Sequence, residues 1–424
     1  MNIRFYNANI CTMQHGPEVF KGELWTLGSR VGYVGGGQNA PAHPVFDEEI
    51  DLGGNLILPG FKNAHTHSAM TFLRSYADDL PLQDWLQKQV FPMEAKLTGE
   101  DVYWLSTLAI MEYLTSGITA NFDMYMFMEE NAKASVDTGF RTVLCGALSN
   151  FVGSLQELEE GYSRFNSLHE RISYQLSFHA EYTCSRQLLE GVAEVANRLK
   201  APVYTHNSET EAEVRQCLAH SGKTPTAYLE GLGIYNYGGG GFHCVHMTEE
   251  DLAITKQRGL YVVSNPGSNC KLASGIAPLQ KMLDMGIPVA LGTDGPASNN
   301  ALDMFREMYL ATVLQKISLK NAAALKAGTV LEMACCTGAR AMGLAEADSL
   351  AEGKLADLTV IDLHQPNMQP LNHLAHNVVY SGSKQNVQLT MVNGSILYRN
   401  GKFAIGKDPA EVYAKANEII ARMR

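Results

Sequence analysis

The stretch Leu58-Pro59-Gly60-Phe61-Lys62-Asn63-Ala64-His65-Thr66-His67 carries an apolar run that ends in two histidines, His65 and His67. On an extended strand, residues i and i+2 point to the same side, so both imidazoles can face one metal ion. Two solvated loop histidines would show the same spacing. The choice between these interpretations depends on whether other strand ends supply further ligands and a proton carrier.

Length, charge and composition limit the class of protein. With 424 residues, 46% of them hydrophobic, the chain can bury a large core and suits one large barrel with a smaller unit. The formal net charge is −11 and Lys and Arg form no cluster, which argues against a nucleic-acid partner. No segment is apolar for long enough to span a bilayer, and the start lacks a signal-peptide pattern. We therefore expect a cytoplasmic protein with no membrane partner.

The cysteine pattern excludes two kinds of site. Eight cysteines are scattered along the chain without any Cys-x-x-Cys, which fits neither a disulfide framework nor a thiolate zinc site. The cytidine-deaminase type of zinc site needs Pro-Cys-x-x-Cys and is set aside for the same reason. We expect buried thiols in a reducing compartment.

Short apolar runs alternate with longer amphipathic stretches between about residues 56 and 350. This alternation is typical of parallel βα units, and a helix over 98–116 is predicted to open with a capping box of Thr98 and Asp101. Eight such units predict a (β/α)8 barrel. The predicted strands cover residues 56–67, 118–125, 141–148, 172–179, 202–206, 241–246, 260–265 and 288–294.

Both ends of the chain have an all-β pattern. Asn393-Gly394 and Asn400-Gly401 lie between apolar runs and predict type I′ hairpin turns. We therefore predict an α/β protein in which residues 1–56 and 352–424 form a small β-sandwich with a closing helix over 408–424. Residues 57–351 form the barrel inserted between them.

One connection is unusually long. No strand is predicted between residues 68 and 97, a stretch that mixes acidic residues with Trp85. Long loops in compact domains often act as lids or binding loops. Because this one follows the first barrel strand, we expect it to overhang the active face, although Trp85 could also simply cover the core.

Polar residues follow several of the predicted strands. Catalytic groups of barrel enzymes lie at the carboxyl ends of the strands, so these side chains should meet. Three imidazoles and one carboxylate, those of His65, His67, His206 and Asp294, suit a divalent transition metal. Zinc is the first choice, while a ligand set without thiolate also admits iron or manganese. Such a metal would lower the pKa of a water to roughly 7.

A proton carrier is available close to this ligand set. Glu209 stands three residues after His206, where it could take a proton from the water and pass it to a leaving group. His243 could hold the same water or polarise the bond under attack. Taken singly, Asp294 and Asp123 could be structural residues that accept backbone hydrogen bonds, and we expect His246 to be structural or to support a ligand.

Five motifs are spread between residues 59 and 295: Pro59-Gly60-Phe61-x-Asn63-x-His65-Thr66-His67, His206-x-x-Glu209, Phe242-His243-Cys244-Val245-His246, Ser268-Asn269-x-Lys271-Leu272 and Leu291-Gly292-Thr293-Asp294-Gly295. Together they resemble the amidohydrolase superfamily, and more narrowly its branch of methylthioadenosine/S-adenosylhomocysteine deaminases and triazine chlorohydrolases. The resemblance implies a mononuclear site with Glu209 as proton shuttle and His243 beside the attacking water. Binuclear relatives carry a carboxylated lysine on the fourth strand, and residues 173–180 contain none. Relatives are commonly dimers or larger, which implies a homo-oligomer.

The resemblance also bears on the substrate. Glu94 matches a glutamate that binds the ribose diol in adenosine-type deaminases, and His179 matches a histidine that faces the purine. Gly146 stands where relatives place an arginine for the homocysteine carboxylate, and Ser264 replaces a common histidine. These departures favour a smaller or neutral 5′ group.

We therefore expect metal-dependent deamination of an aminated N-heterocycle, an adenosine with a small 5′ substituent, with Glu209, His243 and Asp294 as catalytic residues. Glu94, His179 and Trp85 are expected to contact this small-molecule substrate. Two alternatives stay open at this point. One is a hydrolase that acts on another substrate: guanine, cytosine, a triazine or a cyclic amide. The other is a non-catalytic homologue, which predicts the loss of a ligand or of Glu209.

Overall fold

The computed structural model describes residues 1–37, 40–42, 44–76, 78–80 and 82–424. Within these ranges the strands are β1 (Asn2–Cys11), β2 (Val19–Leu27), β3 (Arg30–Gly35), β4 (Glu48–Asp51), β5 (Leu56–Pro59), β6 (Phe61–Thr66), β7 (Ile118–Met124), β8 (Arg141–Cys145), β9 (Ile172–Tyr174), β10 (Leu176–Ala180), β11 (Val203–Asn207), β12 (Gly239–His243), β13 (Tyr261–Ser264), β14 (Val289–Leu291), β15 (Leu358–Ile361), β16 (Val387–Val392), β17 (Ser395–Arg399) and β18 (Lys402–Phe403).

The α-helices of the same ranges are α1 (Leu82–Trp85), α2 (Phe91–Glu94), α3 (Gly99–Thr115), α4 (Met128–Thr138), α5 (Leu155–Phe165), α6 (Arg186–Leu199), α7 (Glu211–Ser221), α8 (Pro225–Gly231), α9 (Glu249–Arg258), α10 (Pro266–Lys271), α11 (Leu279–Asp284), α12 (Met304–Leu319), α13 (Ala327–Glu332), α14 (Gly338–Ala341), α15 (Leu374–His376) and α16 (Pro409–Met423). No helix among the described residues is both long and apolar enough to cross a membrane.

The middle of the chain forms two parallel sheets with helices between their strands. One sheet has the order β6-β7-β8-β9 and the other β10-β11-β12-β13-β14. Only Gln175 separates β9 from β10, and the Asp294 amide donates to the His65 carbonyl at 3.0 Å, so the outer strands of the two sheets are neighbours. This mixed α/β architecture with parallel strands agrees with the prediction at that level.

The predicted first barrel strand, residues 56–67, is wrong as a single element. The chain bends at Gly60, which separates β5 from β6. β5 pairs with β1 and β15, whereas β6 pairs with β7 in the parallel sheet. A Cβ at Gly60 would lie 2.1 Å from the Thr119 side chain, so only glycine fits this close approach.

Strands from both ends of the chain share one nine-stranded sheet. Its order is β18-β17-β16-β15-β5-β1-β2-β3, and β4 pairs with β1. Both predicted hairpin turns are confirmed, with φ values of 52° and 74° at Asn393 and Gly394, and of 50° and 80° at Asn400 and Gly401. The closing helix is α16.

The long connection after β6 is helical and contains no strand among its described residues. It runs from a 3-10 turn, Ser68–Leu73, through α1, a π turn over Leu86–Val90 and α2. The predicted capping box at the start of α3 is confirmed, because the Asp101 amide and the Thr98 amide each bond to the other residue's side chain. Arg422 of α16 donates to the Asp101 carboxylate at 2.5 Å, which ties the end of the chain to α3.

The glycines before His243 allow a close approach between two strands. Gly239 begins β12 with φ of +124°, and a Cβ there would lie 1.9 Å from the Val203 carbonyl oxygen. β12 therefore starts earlier than predicted, at residue 239, because these glycines let it pack closely against β11.

A buried ion pair joins the parallel sheet to the terminal sheet. Arg141 on β8 donates to Asp357 through Nε at 2.7 Å and Nη2 at 3.2 Å, and both side chains are almost fully buried. We expect Arg141→Met to lower the free energy of unfolding by about 3–5 kcal/mol, because it leaves a buried carboxylate without its cation. Arg198→Met is the matched control, since its pair with Glu159 is exposed to solvent and should contribute little to stability. Urea denaturation of both variants tests this expectation, and equal losses would contradict it.

Candidate active site

Histidine and aspartate side chains converge at the carboxyl ends of the parallel strands. One ligand atom from each of His65, His206, His243 and Asp294 lies within 4.8 Å of the other three. His67 joins them, because its Nε2 is 3.1 Å from Asp294 Oδ1. All five side chains are buried. The structure thus brings together the predicted ligand set and adds His243, whose own ligand atom is close enough to belong to it.

The imidazoles are oriented by backbone carbonyls. His67 Nδ1 donates to the Met124 carbonyl at 2.6 Å, and His206 Nδ1 donates to the His179 carbonyl at 2.7 Å. Each of these hydrogen bonds places a proton on Nδ1 and turns Nε2 into the cluster. His65 Nε2 lies 3.2 Å from His206 Nε2, so both ring nitrogens face the same point.

Asp294 is the anionic member of the cluster. Its Oδ2 accepts hydrogen bonds from the hydroxyls of Ser268 and Ser298, both at 2.6 Å, which leaves Oδ1 toward the histidines. Burial raises the pKa of Asp294, but hydrogen bonds with His65 and His67 outweigh it and hold the pKa well below the usual range. Asp294 is therefore a carboxylate.

The cluster has the properties of a divalent-metal site. Burial lowers the pKa of His65 to about 3, so this ring is neutral and can act as a ligand. Burial also acts to lower the pKa of His67, but the Asp294 carboxylate raises it to about 9. A proton between His67 and Asp294 then occupies the place where a cation would balance the buried negative charge. Nitrogen and oxygen donors of this kind suit zinc, iron or manganese.

Glu209 lies between β11 and α7, beside this cluster. Its Oε1 is 3.9 Å from His243 Nδ1 and accepts a hydrogen bond from the Ser274 hydroxyl at 3.3 Å. Burial raises the pKa of Glu209, which favours the protonated form that a proton donor needs. The Glu213 carboxylate accepts from the Glu209 amide at 2.8 Å and so fixes the backbone at this point.

Two residues of the site have unusual backbone conformations. His243 has φ of +70° and Asp294 has φ of +56°, both in the left-handed region that non-glycine residues seldom occupy. His243 Nδ1 donates to Asn269 Oδ1 at 2.7 Å, which aims Nε2 at the cluster. Such conformations persist where the surrounding structure fixes a side chain for a function.

The cluster forms the floor of a cavity of about 680 Å³. Its walls include all three predicted substrate residues: Trp85 from α1, Glu94 from α2 and His179 from β10. Glu94 is buried and accepts a hydrogen bond from the Tyr125 hydroxyl at 2.7 Å. Burial raises the pKa of Glu94, and the Tyr125 hydroxyl opposes that effect. The long connection therefore does border the cavity, as expected, and Trp85 both lines it and packs in the core.

Three residues that the sequence considered lie outside the cluster. Asp123 accepts from the Ser68 amide at 3.1 Å, so it holds the backbone that follows His67. His246 Nε2 donates to the Ser274 carbonyl at 2.7 Å and acts as a support, as expected. Ser264 is buried in β13 and does not line the cavity.

Several supporting residues were missed from the sequence. Ser268 and Asn269 stand in a motif that was recognised without a role for either residue. Ser298 stands four residues after Asp294 in a turn, where no helical or strand spacing marks it. Tyr125, which contacts Glu94, follows an ordinary apolar strand and gave no signal.

Comparison with known proteins agrees with this geometry. The amidohydrolase family model matches residues 56–397. The 5-methylthioadenosine/S-adenosylhomocysteine deaminase of Desulfitobacterium hafniense strain DCB-2 is 42% identical over 389 residues, covering 90% of each chain, and that of Moorella thermoacetica is 41% identical over 409 residues, covering 95% of each.

Solved structures of two hydrolases are also similar to this chain. A zinc-bound adenosine deaminase from Xanthomonas campestris has a TM-score of 0.94 and 31% identity, and the match covers 100% of this chain and 98% of that one. A zinc complex of atrazine chlorohydrolase from Arthrobacter aurescens TC1 has a TM-score of 0.89 at 20% identity, covering 99% and 100%, which shows a shared fold. The chain is a member of the amidohydrolase family.

Proposed function

We propose that this aminohydrolase deaminates an adenosine with a small, neutral 5′ substituent, such as 5′-methylthioadenosine, to the inosine-type product and ammonia. The observation that carries the proposal is the placement of Glu209 and Glu94 in one cavity. Glu209 stands beside the histidine and aspartate cluster, while Glu94 lies in the wall that the long connection supplies. Deaminases among the relatives, at about 40% identity, support the reaction class.

One divalent metal ion, zinc in the first place, is proposed to be held by His65, His67, His206 and Asp294. When bound, it would make a water nucleophilic at neutral pH. The fit rests on the imidazoles of His67 and His206, which backbone carbonyls orient, and on the buried charge of Asp294. Iron and manganese fit the same donors.

The chain's own residues manage the protons of the reaction. Water adds to the ring carbon that bears the amine, and the bond from this carbon to the amine nitrogen breaks to give the oxo product and ammonia. Glu209 donates a proton to the neighbouring ring nitrogen, and His243 Nε2 orients the water. Asp294 accepts one proton of the water and returns it to Glu209, which donates it to the departing amine. The proton that the added hydroxyl loses as the oxo group forms restores Glu209. Proton transfer by positioned groups of this kind accelerates reactions by typically ~10²–10⁴-fold.

The substrate is proposed to lie between the cluster and the long connection. Glu94 accepts hydrogen bonds from the two ribose hydroxyls, His179 faces the purine and Trp85 covers the base. These roles are supported by the position of all three residues on the walls of one cavity whose floor is the cluster. A cavity of about 680 Å³ is within the range that small-molecule ligands occupy.

The proposal of a neutral 5′ group rests on the charges of the cavity wall. Its described lining contains no Lys or Arg. An adjoining depression of about 330 Å³ is lined by Gly146 and Arg164, and Arg164 is paired with Glu129 at 2.5 Å. A carboxylate on the 5′ group therefore lacks a free cation, whereas a hydrogen bond to a charged group is worth roughly 1.5–3 kcal/mol.

We expect kcat/KM for 5′-methylthioadenosine to exceed that for S-adenosylhomocysteine by roughly 10–100-fold. Gly146→Arg should lower the ratio of the two kcat/KM values, because it adds a cation for the carboxylate of S-adenosylhomocysteine. A Cβ at Gly146 meets only ordinary van der Waals contacts, and the depression beside it has room for a longer side chain. Steady-state kinetics on both substrates test this expectation. Equal efficiencies in the unmodified protein would contradict it.

A substrate panel separates the proposed reaction from the alternatives. Ammonia release is measured for 5′-methylthioadenosine, 5′-deoxyadenosine and adenosine against guanine, cytosine and a triazine. Turnover restricted to the nucleosides is expected, because Glu94 has no use with a substrate that lacks ribose. Faster turnover of a free base or a triazine would contradict the assignment of Glu94.

We also propose how the sheets are arranged into a barrel and a sandwich. The two parallel sheets would close into one (β/α)8 barrel over residues 57–351, supported by the hydrogen bond between the Asp294 amide and the His65 carbonyl. The terminal sheet would form the small β-sandwich of residues 1–56 and 352–424. We also propose that the protein is cytoplasmic, which agrees with its eight free cysteines. We further propose that it is a homo-oligomer, which light scattering can test.

A further inference from the structure

A second group of metal-ligating side chains lies on another part of the surface. It consists of Glu181, Cys217 and His220, and one ligand atom from each lies within 4.8 Å of the other two. Glu181 begins the 3-10 turn Glu181–Thr183 after β10, and the other two residues lie on α7. The spacing of Cys217 and His220, i and i+3, places both on one face of this helix.

The Glu181 carboxylate is buried and incompletely satisfied. Its side chain is 4% exposed, and Oε1 contacts His220 Nε2 at 2.9 Å. Oε2 is buried without a well-formed hydrogen bond from any described residue, although the Cys217 thiol, a weak donor, faces the carboxylate. A buried carboxylate oxygen without a good donor is unfavourable unless a cation or a water completes its environment.

The donor types and their spacing suit a transition metal. One oxygen, one sulfur and one nitrogen around a tetrahedral zinc ion would be separated by roughly 3.3–3.8 Å, which is within the observed spread. His220 is 48% exposed at its side chain, so a fourth position would be open to water. This set contains a thiol, whereas the catalytic cluster contains none, and that difference makes the two sites distinguishable.

We propose that Glu181, Cys217 and His220 form a second binding site for zinc or a similar borderline divalent metal, separate from the catalytic site. The ion displaces the thiol proton of Cys217, takes one carboxylate oxygen of Glu181 and binds His220. It links α7 to the turn that follows β10. Since Tyr182 and Thr183 of this turn line the substrate cavity, the ion would also fix part of the cavity wall.

Cobalt(II) titration of the metal-free, full-length protein tests the proposal. We expect about two ions per chain, one of them with the near-ultraviolet charge-transfer band of a cobalt–thiolate bond. Cys217→Ser should abolish the band and reduce binding to about one ion. Cys270→Ser is the matched control, because it removes an exposed thiol outside the cluster and should change neither.

A second variant guards against misfolding of the first. His220→Ala removes a half-exposed ligand, and it should weaken the thiolate band while the metal-free protein keeps its circular dichroism and thermal midpoint. Binding of about one ion without a thiolate band in the unmodified protein would overturn the proposal. Retention of the band in Cys217→Ser would overturn it as well. Cobalt binding and the thiolate band are measured without deaminase activity. The second metal site can therefore be refuted without refuting the proposed function, and the reverse also holds.

Discussion

Glu209→Gln is expected to lower kcat for deamination by roughly 10²–10⁴-fold, the range that a positioned general acid–base contributes. Glutamine keeps the size of the side chain and can still accept from the Ser274 hydroxyl, but it cannot transfer a proton. Metal content should stay the same, because Glu209 is outside the proposed ligand set. Steady-state kinetics together with metal analysis of the purified variant give both quantities.

Glu211→Gln is the matched control for this substitution. Glu211 stands two residues further along, but its side chain is 69% exposed and pairs with Arg215 on the surface of α7. It should have unchanged kcat and metal content. An unchanged rate in Glu209→Gln would refute the shuttle assignment, and a loss of metal in that variant would show that Glu209 is a ligand.

Glu94→Gln is expected to lower kcat/KM for a ribonucleoside by roughly 100-fold or more. Two hydrogen bonds from the ribose hydroxyls to a buried carboxylate are each worth roughly 1.5–3 kcal/mol, and glutamine replaces one acceptor oxygen with a donor. The measurement compares a ribonucleoside with its 2′-deoxy analogue in both proteins. The unmodified enzyme should prefer the ribonucleoside, and the variant should lose most of that preference.

Tyr125→Phe serves as the comparison for Glu94. It removes only the hydroxyl that donates to Glu94 Oε1, so the carboxylate stays in place. A smaller decrease in kcat/KM is expected, with the preference for the ribonucleoside retained. If Glu94→Gln keeps the full preference for the ribonucleoside, Glu94 does not bind the ribose.

Much of the candidate site could be predicted because its residues stand at strand ends. His65, His206 and Asp294 each follow or end an apolar strand, and the carboxyl ends of neighbouring parallel strands meet in space. The sequence pattern is thus enough to bring them together. The motif resemblance also implies His243 beside the attacking water, whereas the left-handed backbone conformation of that residue could not be predicted from the strand pattern.

The errors in the fold have local physical causes. Apolar periodicity alone could not show that the run from residue 56 to 67 serves two sheets, because both strands are fully buried. The break at Gly60 depends on its contact with Thr119, which is 59 residues away in the sequence. The second metal-ligating cluster was missed for a similar reason, since Glu181 lies far from Cys217 along the chain and meets it only in the folded protein.

The central claim is that the residues of this one cluster hold a metal with which the chain deaminates a purine nucleoside. The most direct measurement is ammonia release from 5′-methylthioadenosine by chelator-treated protein before and after zinc is restored. We predict no release before restoration, and equal amounts of ammonia and the 6-oxo product afterwards. Full activity without metal, or no ammonia from this or any other 6-aminopurine nucleoside after restoration, would contradict the account.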